Sequence, residues 1–154
     1  MGRKPVEAKM EDDKVKVIIT LEVSREHLVQ DPLDAFWTLK EECLRQFLKV
    51  AEDHILEEYR DPPHVVLRTK RRKLKTMNGQ VEFSYRVLAP KGRPTKTVAP
   101  LLERLNITYG QSCSPKLSRT IEELSTRFST REVSFILKLF GISLSHTMVH
   151  RKRT

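Results

Sequence analysis

Ser145, His146, Thr147, His150, Arg151, Lys152 and Arg153 fall in one short run near the end of the chain. Hydroxyl and imidazole groups of this kind can hydrogen-bond base edges or phosphate oxygens, and the cations can neutralise phosphates. A second basic group comprises Lys70, Arg71, Lys73 and Lys75, with Arg86 further on. It could lie along a phosphate backbone, or it could be a charged strand edge that discourages aggregation. His146 and His150 have the i, i+4 spacing of metal ligands. The His-Glu-x-x-His pattern is absent, however, and no cysteine is near, so we assign no metal and read them as exposed side chains of a helix facing DNA. No Gly-rich phosphate loop and no Gly-x-Ser-x-Gly elbow occurs, and the carboxylates form no convergent acid pair. These absences predict no catalytic residue, no cofactor and no enzyme activity by this chain alone.

The terminal run needs an element to aim it. Ser129 and Glu132 have capping-box spacing, and Val133, Ile136, Leu137 and Phe140 follow as the core face of a helix. Gly141 supplies a turn, and Ser145 is the N-cap of a last helix with Met148 and Val149 pointing inward. Helix, glycine turn and short basic helix make the outline of a helix-turn-helix, in which the first helix braces the second against a duplex. Leu137 stands where compact examples need a small residue, so the turn should be slightly longer than the compact type. Upstream, Ser114 and Pro115 start a helix whose apolar face is Leu117, Ile121 and Leu124, and residues 101–105 form a short helical turn ending at Asn106.

The second basic group belongs to a hairpin. The pair Asn78-Gly79 favours a type I′ turn, because both central residues must reach positive φ. With that loop, Thr76 faces Val81, Leu74 faces Phe83 and Arg72 faces Tyr85. On the other side Lys75 meets Glu82, Lys73 meets Ser84 and Arg71 meets Arg86. Phe83 and Tyr85 then lie on the core face, away from any base they could stack on. The loop over residues 90–96 carries no acidic residue.

Residues 1–14 read as a polar, frayed terminus. Val15, Val17, Ile19, Leu21 and Val23 alternate with Lys16, Ile18, Thr20 and Glu22, the period of a half-buried strand. A long helix follows, with Asp31 as N-cap, Pro32 in the first position and Pro62-Pro63 as the stop. Leu33, Trp37, Leu44, Leu48, Ala51, Ile55 and Tyr59 share one face, flanked by Phe36 and Phe47, as a core or dimer stripe. Lys40, Glu41, Glu42, Arg45, Lys49, Glu52, Asp53 and Glu57 cover the other, expected to face solvent.

Charge divides the chain more sharply than composition does. The 154 residues carry a net +9, but those through Asp61 hold 10 Lys+Arg against 15 Asp+Glu, while those from Pro62 hold 19 against 5. A net of −5 is thus followed by +14, a field suited to polyanions. No run reaches the ~20 apolar residues of a membrane span. The start has no apolar signal region and no lipidation motif, and Cys43 and Cys113 read as reduced thiols. The expected location is cytoplasmic, associated with the nucleoid.

The succession Arg60-Asp61, a basic strand, Thr76-x-x-Gly79-x-Val81-x-Phe83-x-x-Arg86, Pro100-Leu101-x-x-x-Leu105, Ser129-Thr130-Arg131-Glu132-Val133 and Ile142-Ser143-Leu144-Ser145-His146-Thr147-Met148-Val149-His150-Arg151 resembles the N-terminal region of mutator-like bacterial and archaeal insertion-sequence transposases. The likeness runs from Tyr59 to the C-terminus. It departs at Leu102, where such proteins often carry Asp. It implies a strand hairpin and a helical DNA-binding segment of the kind that precedes an RNase H-like catalytic domain. The chain ends at Thr154, so the resemblance implies a truncated or catalytically incomplete form to which no catalytic residue carries over.

The expected fold is therefore α+β: an N-terminal strand and long amphipathic helix (1–61), a basic hairpin and loop (62–100) and a helical DNA-binding segment (101–154), with 62–154 as one unit. The expected partner is double-stranded DNA, with a homodimer through the long helix possible and no membrane. Two alternatives stand beside it: a protein-interaction module on the long helix, and RNA binding through the hairpin.

Overall fold

The period-two stretch over residues 15–23 is extended but is not a strand, which corrects the predicted N-terminal β element. The computed structural model describes residues 13–153, with the backbone alone for His146, Lys152 and Arg153. The polar tail therefore lies outside the described residues as far as residue 12. Val17, Ile19, Leu21 and Val23 are half-buried and their neighbours exposed, so the alternation is real. Among the described residues it has no partner ladder. The Gln46 side-chain amide takes that place, its Oε1 accepting from Thr20 N–H at 2.9 Å and its Nε2 donating to Thr20 O at 2.6 Å. Apolar alternation reports a half-buried extended chain, and cannot tell whether backbone or a side chain satisfies its amides.

The polar connection that follows folds as helix α1 (Arg25–Gln30), capped by Ser24 Oγ accepting from His27 N–H. Asp31 then caps α2 (Pro32–Leu56), with Pro32 at its first position, and a 3₁₀ turn over Glu57–Tyr59 ends the run before the prolines. The two strands are β1 (His64–Thr76) and β2 (Gly79–Pro90), an antiparallel pair with Leu67 as a bulge residue on β1.

The hairpin register differs by two residues from that expected. Leu74 faces Val81, Arg72 faces Phe83, Lys73 faces Glu82 and Arg71 faces Ser84. Gly79 alone has positive φ (+105°), so the chain bends on Met77 and Asn78 and closes on the glycine. A type I′ turn needs positive φ at both central residues, whereas a type I turn followed by a glycine bulge needs one. Thr76 Oγ1 supports this bend, donating to Gly79 O at 2.8 Å and accepting from Asn78 N–H at 3.0 Å. A shift of two keeps every side chain on its expected face, since the strand period is two.

A two-stranded ribbon has two open edges, and each must find partners. Successive even residues of β2 aim their backbone outward. Glu82 O accepts from Arg45 Nε at 2.7 Å, Glu82 N–H donates to Glu41 Oε2 at 3.2 Å, and Arg86 N–H donates to Glu52 Oε2 at 2.7 Å. Leu88 exchanges two bonds of 2.8 Å with Val98. The charged side of α2, expected to face solvent, therefore seals the edge of β2, and Glu52 is only 3% exposed. On β1, Lys75 N–H donates to Ser112 O at 2.9 Å and Lys75 O accepts from Ser114 N–H at 2.8 Å, and among the described residues no further backbone partner lies along that edge toward Thr69.

Four helices follow: α3 (Pro100–Arg104), α4 (Pro115–Leu124), α5 (Thr130–Leu139) and α6 (His146–Arg153). Their starts are where the capping residues placed them, at Ser114, Ser129 and Ser145. Asn106, at φ +56°, ends the α3 turn. Among the described residues the buried apolar side chains gather in two clusters. One joins Leu48 of α2 to Leu74, Val81, Phe83, Tyr85 and Leu101, and so bridges the acidic and basic parts of the chain. The other joins Cys113, Leu117, Ile121, Val133, Leu137 and Val149. Ile142 and Leu144 in the turn complete it, while Phe140, expected in the core, is 62% exposed. The six-residue turn between α5 and α6 lets the chain itself supply those apolar groups.

Candidate nucleic-acid interface

The site is assembled from the N-terminus of α6 upward. Ser145 Oγ accepts from Met148 N–H at 3.2 Å, and Val149 N–H bonds Ser145 O at 3.1 Å. Val149 is fully buried against α4 and α5, which fixes the rotation of the short helix and turns Ser145, Thr147, His150 and Arg151 outward. The side chains of His146, Lys152 and Arg153 lie outside the described residues. The helix has no acidic residue in its first turn, so its N-terminal amides carry an uncompensated partial positive charge.

The hairpin cations divide into two sets. Lys70, Arg71 and Lys73 are exposed. Arg71 lies 3.4 Å from Glu82, but its side chain remains 71% accessible, so the pair contributes little. Lys75 and Arg86 are engaged within the protein. Arg86 Nε meets Glu52 Oε1 at 3.0 Å and a terminal nitrogen meets Asp53 Oδ1 at 2.5 Å. Burial works against its guanidinium, yet hydrogen bonds and charge from Asp53 and Glu52 more than offset this and raise its pKa. Lys75 Nζ donates to Ser143 O at 2.6 Å, two residues before the cap of α6. That bond joins the two candidate groups, holding the end of β1 against the turn that aims α6.

The long helix touches the same turn. The Lys40 ammonium stands 3.3 Å from the centroid of the Trp37 ring, a cation–π contact, and burial lowers its pKa. A Cβ on Gly79 would lie 3.2 Å from Lys40 Cε, and one on Gly141 would lie 2.9 Å from Trp37 Cζ2. Lys40 therefore lies against both the hairpin turn and the helix turn, and Trp37 against the helix turn. The capping box of α5 is complete: Ser129 N–H donates to Glu132 Oε1 at 2.9 Å and Ser129 Oγ accepts from Glu132 N–H at 3.2 Å. The Ser129 backbone, then its hydroxyl, hold the Glu132 carboxyl below the usual range.

No family model, no curated protein and no solved structure matches the chain. What the surface can do must therefore come from its own geometry. Among the described residues no helix is long and apolar enough to cross a membrane. Sequence reasoning missed Arg72, whose terminal nitrogen donates to Thr108 O and Gln111 O at 2.6 Å each. Its only sequence signal was its place on a predicted core face.

Proposed function

We propose that this chain binds double-stranded DNA, with α6 in the major groove and the exposed cations of β1 on neighbouring phosphates. In this reading it is a DNA-binding unit like the N-terminal region of the mutator-like transposases that its sequence resembles, and acts in association with the nucleoid. The observation that carries the reading is the Lys75–Ser143 bond, which sets a capped polar helix start beside a strand bearing Lys70, Arg71 and Lys73. Ser145, Thr147 and His150 are the base-reading candidates, and Lys70, Arg71, Lys73 and Arg151 the phosphate contacts.

Fluorescence titration of terminal-repeat-like duplex at several salt concentrations tests it. Affinity should fall steeply with salt, and Lys70→Ala or Lys73→Ala should each reduce the log–log slope by about 1. Thr147→Ala and His150→Ala should instead change sequence preference. Absent or salt-insensitive binding overturns the reading.

One observation favours a second reading, a protein-interaction module. Leu33, Phe36, Trp37 and Phe47 are each at least half exposed along α2. Phe36, Trp37 and Phe47 border a groove of about 430 Å³ that Met77 and Phe140 complete. A contiguous apolar face of this kind marks an interaction surface. A stripe running along a helix is self-complementary when two copies meet antiparallel about a two-fold axis, so the occupant is a second copy of this chain. Light scattering should give a mass that rises with concentration, and Leu33→Asp with Phe36→Asp should hold it at one chain. A wild-type mass fixed at one chain removes this reading.

A further inference from the structure

The far end of the ribbon carries a third basic group, on the loop over residues 90–96. Lys91, Arg93 and Lys96 are exposed, as is every residue from 91 to 97. The loop is closed by its own backbone. Leu88 and Val98 exchange two bonds of 2.8 Å at its base, and Lys91 N–H donates to Pro63 O at 3.0 Å across the end of the ribbon. Within it, Arg93 N–H donates to Pro90 O at 2.9 Å and Lys96 N–H to Arg93 O at 3.2 Å. Gly92 turns at φ +86°, and Pro90 and Pro94 limit the remaining freedom. These bonds tie the three cations to one fixed turn.

No partner inside the protein neutralises them. The chain has no carboxylate between Glu82 and Glu103. Asp61 lies two residues before the Pro63 anchor, yet among the described residues neither it nor Lys91, Arg93 or Lys96 forms an ion pair. Three like charges on one short turn repel one another, so the grouping opposes folding and favours a polyanion outside.

Position decides which part of a duplex they meet. Pro90 pairs with His64 at one end of the ribbon and Gly79 with Thr76 at the other. Between those ends β2 runs about 36 Å at the usual rise of a strand. The Lys75–Ser143 bond places α6 at the Gly79 end. One turn of duplex rises about 34–36 Å, so the loop stands about one helical turn from the helix. Arg68, Lys70, Arg71 and Lys73, all exposed, mark the strand between. Glu82, 3.4 Å from Arg71, is the one carboxylate on either strand.

We propose that Lys91, Arg93 and Lys96 form a second phosphate clamp, which grips duplex about one helical turn away from the groove that α6 enters. This rests on the DNA-binding reading and sets the length of duplex that the chain requires.

The test titrates terminal-repeat-like duplexes of about one and about three helical turns, roughly 11 and 32 base pairs, at several salt concentrations. The longer one extends a turn to either side of a central site. A chain with Lys91→Ala, Arg93→Ala and Lys96→Ala should match the wild type on the shorter duplex. On the longer one its log–log salt slope should be shallower than that of the wild type by about 2–3, the sum of three phosphate contacts. Lys91→Arg with Lys96→Arg should keep the wild-type slope, because charge is what the clamp supplies. Circular dichroism verifies that the exposed substitutions leave the fold intact. Equal slopes for wild type and triple variant on the longer duplex, or the same loss on both duplexes, overturns the clamp. If the wild type binds neither duplex, the DNA-binding reading falls with it.

Discussion

Two glycines with nearly the same backbone separate the roles of strain and crowding. Gly92 and Gly141 have φ of +86° and +79°, but a Cβ meets nothing within 4 Å at the first and Trp37 Cζ2 at 2.9 Å at the second. Left-handed backbone costs a non-glycine residue about 1–2 kcal/mol. Gly92→Ala should show that amount alone in urea denaturation, and Gly141→Ala should show more. In a Trp37→Ala background the excess at Gly141 should vanish, a coupling that a double-mutant cycle isolates. Equal losses at the two positions in the wild-type background would mean that Trp37 does not brace the turn. A second residue-level test uses Glu132. Its folded pKa is depressed by Ser129, so the stabilisation is present above the unfolded value and is lost as pH falls through the folded one. The melting-temperature gap between wild type and Glu132→Gln should therefore be widest near neutral pH and close in acid. A gap independent of pH would show that ionisation of Glu132 is not coupled to folding.

At the scale of elements, α2 is more than an amphipathic helix laid on a core. Its carboxylates and Arg45 satisfy the outward backbone of β2, so that the ribbon has a sealed edge without a third strand. Glu52 is the centre of this contact, accepting from both Arg86 N–H and Arg86 Nε while almost fully buried. Hydrogen bonds to a charged group contribute about 1.5–3 kcal/mol, so Glu52→Ala should lower the unfolding free energy by that scale, read as a lower urea midpoint with m unchanged. A surface-like loss of a few tenths of a kcal/mol would mean that the edge is sealed by other groups. This contact also marks where the sequence stopped being legible. Helix starts at Asp31, Ser114, Ser129 and Ser145 were readable because capping is decided within four residues. The hairpin faces were readable from period two, but its register was not, because Asn78-Gly79 suits either of two bends. Residues 15–23 could not be told from a strand, since Gln46 lies far along the chain from Thr20. Glu52 was unreadable for the same reason, as a sheet edge is a property of what packs beside it.

Across the whole molecule, the acidic and basic parts meet at one junction rather than lying apart. Leu48 of α2 shares a core with the hairpin, Lys40 lies against the turns at Gly79 and Gly141 with Trp37 against the second, and Lys75 ties β1 to Ser143. The acidic helix neutralises Arg86 inside, while Lys70, Arg71 and Lys73 stay exposed, where the proposed duplex would meet them. This gives neighbouring lysines on one strand different duties, and the difference is measurable. Lys75→Met removes a positioning contact, so the amides of the α5–α6 turn should exchange hydrogen faster and duplex affinity should fall, with the salt slope unchanged. If Lys73 contacts phosphate as proposed, Lys73→Ala should lower affinity with the slope reduced by about 1 and exchange unaltered. If Lys75→Met instead reduces the slope and leaves exchange alone, Lys75 contacts phosphate directly. The bond to Ser143 would then not be what joins the strand to the helix.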